Sequence, residues 1–457
     1  VRAGTAEAGA SQAEPGQPET DEAERRDSRV SPAAVPAAVF LLLFSLGVWV
    51  IEAALTKHFV HFLTWFDLDV YNRAGLIVRH DPKLLYIWHW PNKKWIKYTY
   101  TPFAAMLFAV TSVLPVTVLH WSMSVVSIVA LPVIAWLVFS QLGWHDRDRL
   151  VGTLVAAAVG LWTEPVIRAL QLGQIELLLM LLLVWDLGQS DRRWWKGAGI
   201  GVAAAIKLVP LIFIPYLLLC GKIRQAVTAS VTVAVSIVLG FVVLPHASTK
   251  WWLTGYFLHA GNTGNIGSLE NQSLLAVLTR AIGNVGSATK VWLPLAVLVA
   301  VIGLGAGAML YRRGQPVAGW VTAAVTGLLV SPISWDQHWI WIVPVLIVLA
   351  DRAVRSRGPV RWAWWATAAL TLGLYGDWPY AWAGKSAFET YYGLLAWFRH
   401  GHPHDEQYHL HGFEVVTWNL FVLAGLVMLI VSVVAAVRAW QARESVEASS
   451  GNSPHPA

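Results

Sequence analysis

Long apolar runs recur from one end of this chain to the other, most of them approaching the length of about 20 residues that a helix needs to cross the hydrocarbon of a bilayer. That ruler predicts helices at 33–55, 117–141, 150–166, 172–188, 224–245, 288–310, 317–331, 339–350, 359–377 and 413–437. One further run, 197–220, is interrupted by Lys207 and Pro210 and reads as two half-length or tilted helices meeting at a polar vertex. About twelve crossings follow, and with them an all-α polytopic membrane protein. Composition agrees: 56% of the 457 residues are hydrophobic and 13% charged, where soluble domains carry about 25% charged residues.

A net charge of +6 raises the question of nucleic acid, but the basic residues sit in loops between apolar runs and form no stripe interleaved with aromatics. They orient the chain in the bilayer instead. Residues 1–32 are rich in Ala, Glu, Gly, Pro and Ser, without the short apolar core of a cleavable signal, and read as a disordered cytoplasmic tail. The transmembrane domain then occupies 33–438 and a second tail 439–457. Cys220 stands alone in an apolar run, so no internal disulfide framework is expected.

With Arg25, Arg26 and Arg29 inside, the clusters Arg147/Arg149, Arg192/Arg193/Lys196, Lys222/Arg224, Arg312/Arg313, Arg352/Arg355/Arg357 and Arg438 all fall inside as well. The parity closes only if the apolar segment Tyr100–Pro115 does not cross but lies along the outer surface as a juxtamembrane helix. The outer side then receives 56–116, the turn Thr163–Gln174, Lys207, the loop 246–287, the turn Ser331–His338 and 378–412. Nearly every unusual polar residue lies there, which argues for a single extracytoplasmic site.

Carboxylates at the mouth of a membrane helix are costly to desolvate and mark places where protons, ions or sugars are handled. Asp67 and Asp69 are such a pair, and catalysis is favoured for Asp67, as a general base toward an attacking hydroxyl. Either could instead cap the following helix. Tyr98–Phe103 follows Lys93, Lys94 and Lys97; Pro102 serves as an ordinary helix start, and the lysines can meet lipid head groups. Glu176, beside Gln174 at the outer end of a span, demands either Arg168 or a substrate as partner. Lys207, at a helix break, can hold a phosphate as a point charge, a reading preferred to snorkelling. The turn-rich 261–267 and the following Asn271-Gln272-Ser273 are either loop chemistry or amide partners for sugar hydroxyls. In Ser331–Trp339 an interfacial belt accounts for the tryptophans but not for Asp336 and His338 together, so His338 reads as a site residue. The tract His400, His402, His404, His409, His411 fits no standard ligand spacing and reads as a solvated loop. No ATP or nucleotide-sugar motif is visible; no cofactor and no metal are expected.

Taken in order, these elements resemble glycosyltransferase family 87, the polyprenyl-phosphate-mannose-dependent α-1,2-mannosyltransferases of the multi-spanning GT-C type. The matching pieces are Asp67–Tyr71, Tyr100–Ala105, Gly173-Gln174-Ile175, Ile206–Pro210, Asn271–Leu274 and Ser331–Trp335 ending in His338. The resemblance implies a GT-C bundle with juxtamembrane helices in its first outer loop. It implies a cytoplasmic (inner) membrane enzyme that moves mannose, with inversion, from a polyprenyl-phosphate donor to a glycolipid or lipoglycan acceptor. Asp67 is then the base, with Asp69, Tyr71, Tyr100, Gln174, Glu176, Lys207, Asn271, Gln272, Trp335 and His338 around the substrates. The chain departs from the family pattern at Thr101, Glu176 and Gln337, which bears on acceptor choice. An arabinofuranosyltransferase using a polyprenyl-phosphate sugar, and a lipid-linked-sugar transporter, remain open.

Overall fold

The computed structural model describes residues 30–55, 63–90, 93–377 and 412–450, with positions 394 and 410. The expected tail up to residue 29, the histidines His400, His402, His404, His409 and His411 and the side chains of Lys93 and Lys94 lie outside the described residues. The main helices are α1 (Ala34–Leu55), α2 (Phe66–His80), α3 (Pro102–Thr111), α4 (Val116–Gln141), α5 (Asp146–Gly160), α6 (Glu164–Leu172), α7 (Glu176–Leu187), α8 (Ala198–Ile206), α9 (Phe213–Leu219), α10 (Ile223–Val243), α11 (Leu274–Ile282), α12 (Val285–Arg312), α13 (Pro316–Val330), α14 (Ile342–Arg355), α15 (Gly358–Tyr375) and α16 (Leu420–Ser450). The hairpin β1 (His89–Trp90) and β2 (Lys93–Lys97) is antiparallel and sits between α2 and α3.

Among the described residues, six helical segments are long and apolar enough to cross a membrane: Ala34–Ile51, Val116–Gln141, Ile223–Val243, Val285–Arg312, Asp336–Arg355 and Leu420–Gln441. A seventh arises if α6 and α7, bent by 118° at their junction, count as one. The expected twelve are not reached on length and composition, because α5, α8, the Val209–Leu219 segment and α13 are short and α15 is less apolar. Helix α3 has ten residues, about 15 Å at 1.5 Å per residue, half the hydrocarbon thickness. Helix α16 runs on to Ser450, beyond the expected end at 437.

The interruptions position the polar residues. Gly173 separates α6 from α7 with φ 67°, a left-handed conformation that suits glycine. A Cβ there would lie 2.8 Å from the Cβ of Leu68, so α2 packs tightly against the turn. Lys207 adopts an extended conformation (φ −136°, ψ 131°) that ends α8, and a 3-10 turn, Val209–Ile212, leads into α9. A second 3-10 segment, Asp336–Trp341, leads into α14, so the span begins three residues before the expected 339.

Small residues allow close packing behind these breaks. Gly307 of α12 faces Gly319 of α13 so closely that a Cβ at Gly307 would stand 2.7 Å from the Gly319 carbonyl oxygen. Caps fix the helix starts: Thr101 accepts from the Ala104 N–H, Ser273 from Ala276 and Asn284 from Ser287. The flanks of the bundle are apolar and exposed, as at Val231, Val238 and Val242 of α10, the surface of a helix that faces lipid.

Candidate active site

Where α2, the α6–α7 turn, the α8 break and the start of the Asp336 span converge, a cavity of about 1660 Å³ opens. Asp67, Tyr71, Lys97, Tyr100, Arg168, Gln174, Lys207, Trp335, Asp336, Gln337 and His338 line it, with the loop 256–266 along another wall.

Asp67 is the second residue of α2, and the residue before that helix is strained: Trp65 has φ 44°. A non-glycine residue there costs about 1–3 kcal/mol and persists only where its surroundings over-determine it. They do here. The Trp65 and Thr64 N–H groups both donate to the Gln171 carbonyl at 2.9 Å, the Trp65 indole donates to Ser124 Oγ at 2.9 Å, and its ring stacks on His120 at 4.6 Å. His120 Nε2 in turn lies 2.6 Å from Asp69 Oδ1. Helix α4 thus clamps the turn that presents Asp67.

Within the cavity the Gln174 amide donates to Asp67 Oδ2. Its oxygen accepts from Tyr71 at 2.7 Å and from Tyr100 at 3.3 Å, the two hydroxyls lying 2.7 Å apart. Burial, reinforced by Glu176, raises Asp67 to a pKa of about 7, against the lowering influence of Gln174, Lys207 and Arg168. Burial also lifts Tyr71 and Tyr100 well above the usual phenol value, so both remain donors. A base poised near neutrality is suited to accept a proton and release it.

Lys207 Nζ bonds Glu176 Oε1, approaches His338 Nε2 at 2.8 Å and stands 5.4 Å from the Tyr100 ring centroid. Glu176 Oε2 and His338 Nδ1 are buried without hydrogen-bond partners among the described residues. A chamber of about 50 Å³, lined by these three side chains and by Met180, Phe213 and Trp341, adjoins the main cavity. Arg168 pairs with Asp336 at 3.2 Å and donates to Gln171 Oε1 at 2.6 Å. Arg168 is therefore not the partner of Glu176; Lys207 is.

Of the residues expected at the site, Asp67, Tyr71, Tyr100, Gln174, Lys207, Trp335 and His338 are brought together, with Glu176 beside Lys207. Asp69 is not: it is drawn to His120 and does not line the cavity, so the two carboxylates of Asp-Leu-Asp part. Asn271 and Gln272 are fully buried in the fold. Asn271 joins Ile266 O, Pro332 O and the Ser334 N–H, and Gln272 joins Leu269 O, Trp418 O and the Phe421 N–H. His120 escaped sequence reading because a lone histidine in an apolar helix carries no pattern. Gln337 lines the cavity too, at a position noted only as a departure.

Apolar flanks around one polar, carboxylate-bearing cavity define a multi-pass membrane enzyme. The profile of glycosyltransferase family 87 matches residues 98–332, just over half of the chain. The chain belongs to that family, and it is a glycosyltransferase. It is 30% identical over 336 residues, 67% of this chain and 73% of the relative, to a polyprenol-phosphate-mannose-dependent alpha-(1-2)-phosphatidylinositol mannoside mannosyltransferase of Mycolicibacterium smegmatis. A protein of the same description from Mycobacterium tuberculosis is 29% identical over 306 residues, 64% of this chain and 71% of the relative. A polyprenol-phosphate-mannose-dependent alpha-(1-2)-phosphatidylinositol pentamannoside mannosyltransferase of Mycolicibacterium smegmatis is 28% identical over 400 residues, 80% of this chain and 94% of the relative. No solved structure matches the chain.

Proposed function

We propose that this protein transfers mannose from polyprenol-phosphate-mannose to a phosphatidylinositol mannoside or related glycolipid, forming an α-1,2 linkage with inversion. The observation that carries the reading is Asp67, a carboxylate raised toward neutrality in the same cavity as Lys207 and His338. In the reaction the acceptor hydroxyl attacks the anomeric carbon and gives its proton to Asp67. The bond from that carbon to the phosphate oxygen breaks on the opposite face, and the polyprenyl phosphate leaves with the electron pair. Inversion of a β-linked phosphate yields the α product. Lys207 supplies positive charge to the departing phosphate, and the His338 imidazole stands beside it. Gln174, with Tyr71 and Tyr100 behind it, fixes the carboxylate; Trp335 offers an apolar face to a sugar ring.

The setting proposed is the cytoplasmic (inner) membrane, with the cavity toward the extracytoplasmic side. Support comes from the loop charges and from α3, too short to cross as a single helix. On this topology the short helices α5, α8, α9, α13 and α15 complete about twelve passes, and the interrupted ones line the cavity.

The test is to incubate purified protein with radiolabelled polyprenyl-phosphate-mannose and a panel of mannosylated lipids, then map the product linkage. An α-1,2-linked mannoside supports the reading. Transfer from polyprenyl-phosphate-arabinose alone, or donor translocation across vesicles without transfer, would replace it.

A further inference from the structure

We infer that Lys97 marks a second phosphate-binding point in the cavity, separate from Lys207, which engages the phosphate ester of a lipid substrate. This rests on the transfer between two lipids proposed above. The charges of the cavity carry it. Arg168 is matched by Asp336 and Lys207 by Glu176. Lys97 is the remaining lysine or arginine on the wall; Glu270 also lines the cavity, held by Ser268, and among the described residues no carboxylate lies within salt-bridge distance of Lys97. Its Nζ donates to a neutral oxygen, Asn262 Oδ1, at 3.3 Å, which leaves further N–H groups for an anion. An ammonium that faces the cavity without a carboxylate partner is available to a phosphate ester, which it can meet with charge-assisted hydrogen bonds.

The surroundings define the rest of the ligand. Thr99, Asn262, Thr263 and Asn265 bring hydroxyl and amide groups to the same wall, suited to a hydroxyl-rich head group. Phe257 and Leu258 continue that wall outward, and Leu258 is 72% exposed, so an apolar chain can leave the cavity along this lip. A phosphate next to a polar head and an alkyl tail describes the glycolipid acceptor and equally the polyprenyl donor.

Kinetics of the full-length protein in nanodiscs separate the two. With polyprenyl-phosphate-mannose as donor, kcat/KM is measured for a phosphatidylinositol mannoside and for a neutral alkyl mannoside, in wild type, Lys97→Gln and Lys97→Arg. A ratio of phosphorylated to neutral acceptor that falls at least tenfold in Lys97→Gln, and is partly restored in Lys97→Arg, assigns the acceptor phosphate to Lys97. An unchanged ratio with a raised donor KM assigns the donor phosphate. Neither change in a folded protein overturns the inference. Dodecyl phosphate binding, followed by thermophoresis, needs no turnover: its weakening in Lys97→Gln supports the site even if the transfer reaction is another, and equal affinity in both proteins counts against it.

Discussion

Asp67 is useful as a base because it sits where a carboxylate would rather be neutral. Burial raises it to about 7 and the Gln174 amide, which binds the charged form, holds it from going higher. Deprotonated Asp67 is the working form, so kcat/KM is expected to rise with pH and level off above about 7. Replacing Gln174 with Leu removes a hydrogen bond that lowers the pKa, and the rising limb should move to higher pH; a limb that stays in place would detach Gln174 from the base. Asp67→Asn keeps the shape but cannot take a proton, and turnover should fall about 100-fold or more. Wild-type turnover in that variant would remove Asp67 from the mechanism. Lys207 requires a paired design, because removing one partner of a buried ion pair costs about 3–5 kcal/mol. Lys207→Ala with Glu176→Gln relieves the orphaned charge, and donor KM should still rise at least tenfold, with Lys207→Arg recovering part of it. Asp67 was legible as a carboxylate at the mouth of a span, and Lys207 as a charge interrupting an apolar run. The pairings around them were not: Arg168 and Asp336 are 168 positions apart, and His120 and Asp69 are 51 apart.

Among elements, hydropathy found the long spans and missed what happens inside the short ones. The chain does turn within the expected stretch Thr163–Gln174, by 118° around Gly173, but that stretch also holds the short helix α6 (Glu164–Leu172), which the turn reading missed; a left-handed residue and close contact with Leu68 decide the path there. The break at Lys207 was readable, since a lysine and a proline three positions apart do interrupt an apolar pattern. Gly173→Ala should push α2 away from the turn and lower kcat at least tenfold, whereas Gly47→Ala in α1, where a Cβ meets nothing within 4 Å, should behave as wild type. Thermal midpoints by fluorescence-detected size exclusion distinguish displacement from unfolding. Equal activity of the two variants would show that the turn tolerates a side chain. The clamp from α4 is testable in the same way. His120→Ala removes both the stack on Trp65 and the partner of Asp69, and kcat should drop about tenfold while the KM values for donor and acceptor hold. Asp69→Asn keeps a hydrogen-bonding atom and should lose less.

For the whole molecule, one orientation has to serve every element of the site. Asp67 precedes α3 in the chain, whereas Lys207 and His338 follow it, so these residues reach one cavity from the outer side only if α3 does not cross. If α3 did cross, each later loop would change sides and Arg352, Arg355 and Arg357 would lie outside, against the rule that basic loops stay in the cytoplasm. The structure supplies good positions for deciding this. Gly261 is exposed on the cavity loop and a Cβ there meets nothing within 4 Å, so Gly261→Cys should be tolerated and accessible. Ser356, between α14 and α15, serves as the reporter for the opposite face. Cys220 is buried and is removed as Cys220→Ala to leave a single thiol in each variant. An impermeant maleimide applied to intact cells should label Gly261→Cys and spare Ser356→Cys, and permeabilised cells should label both. The reverse pattern in intact cells would turn the cavity toward the cytoplasm, where Lys97 and Lys207 would meet lipid phosphates from the other leaflet.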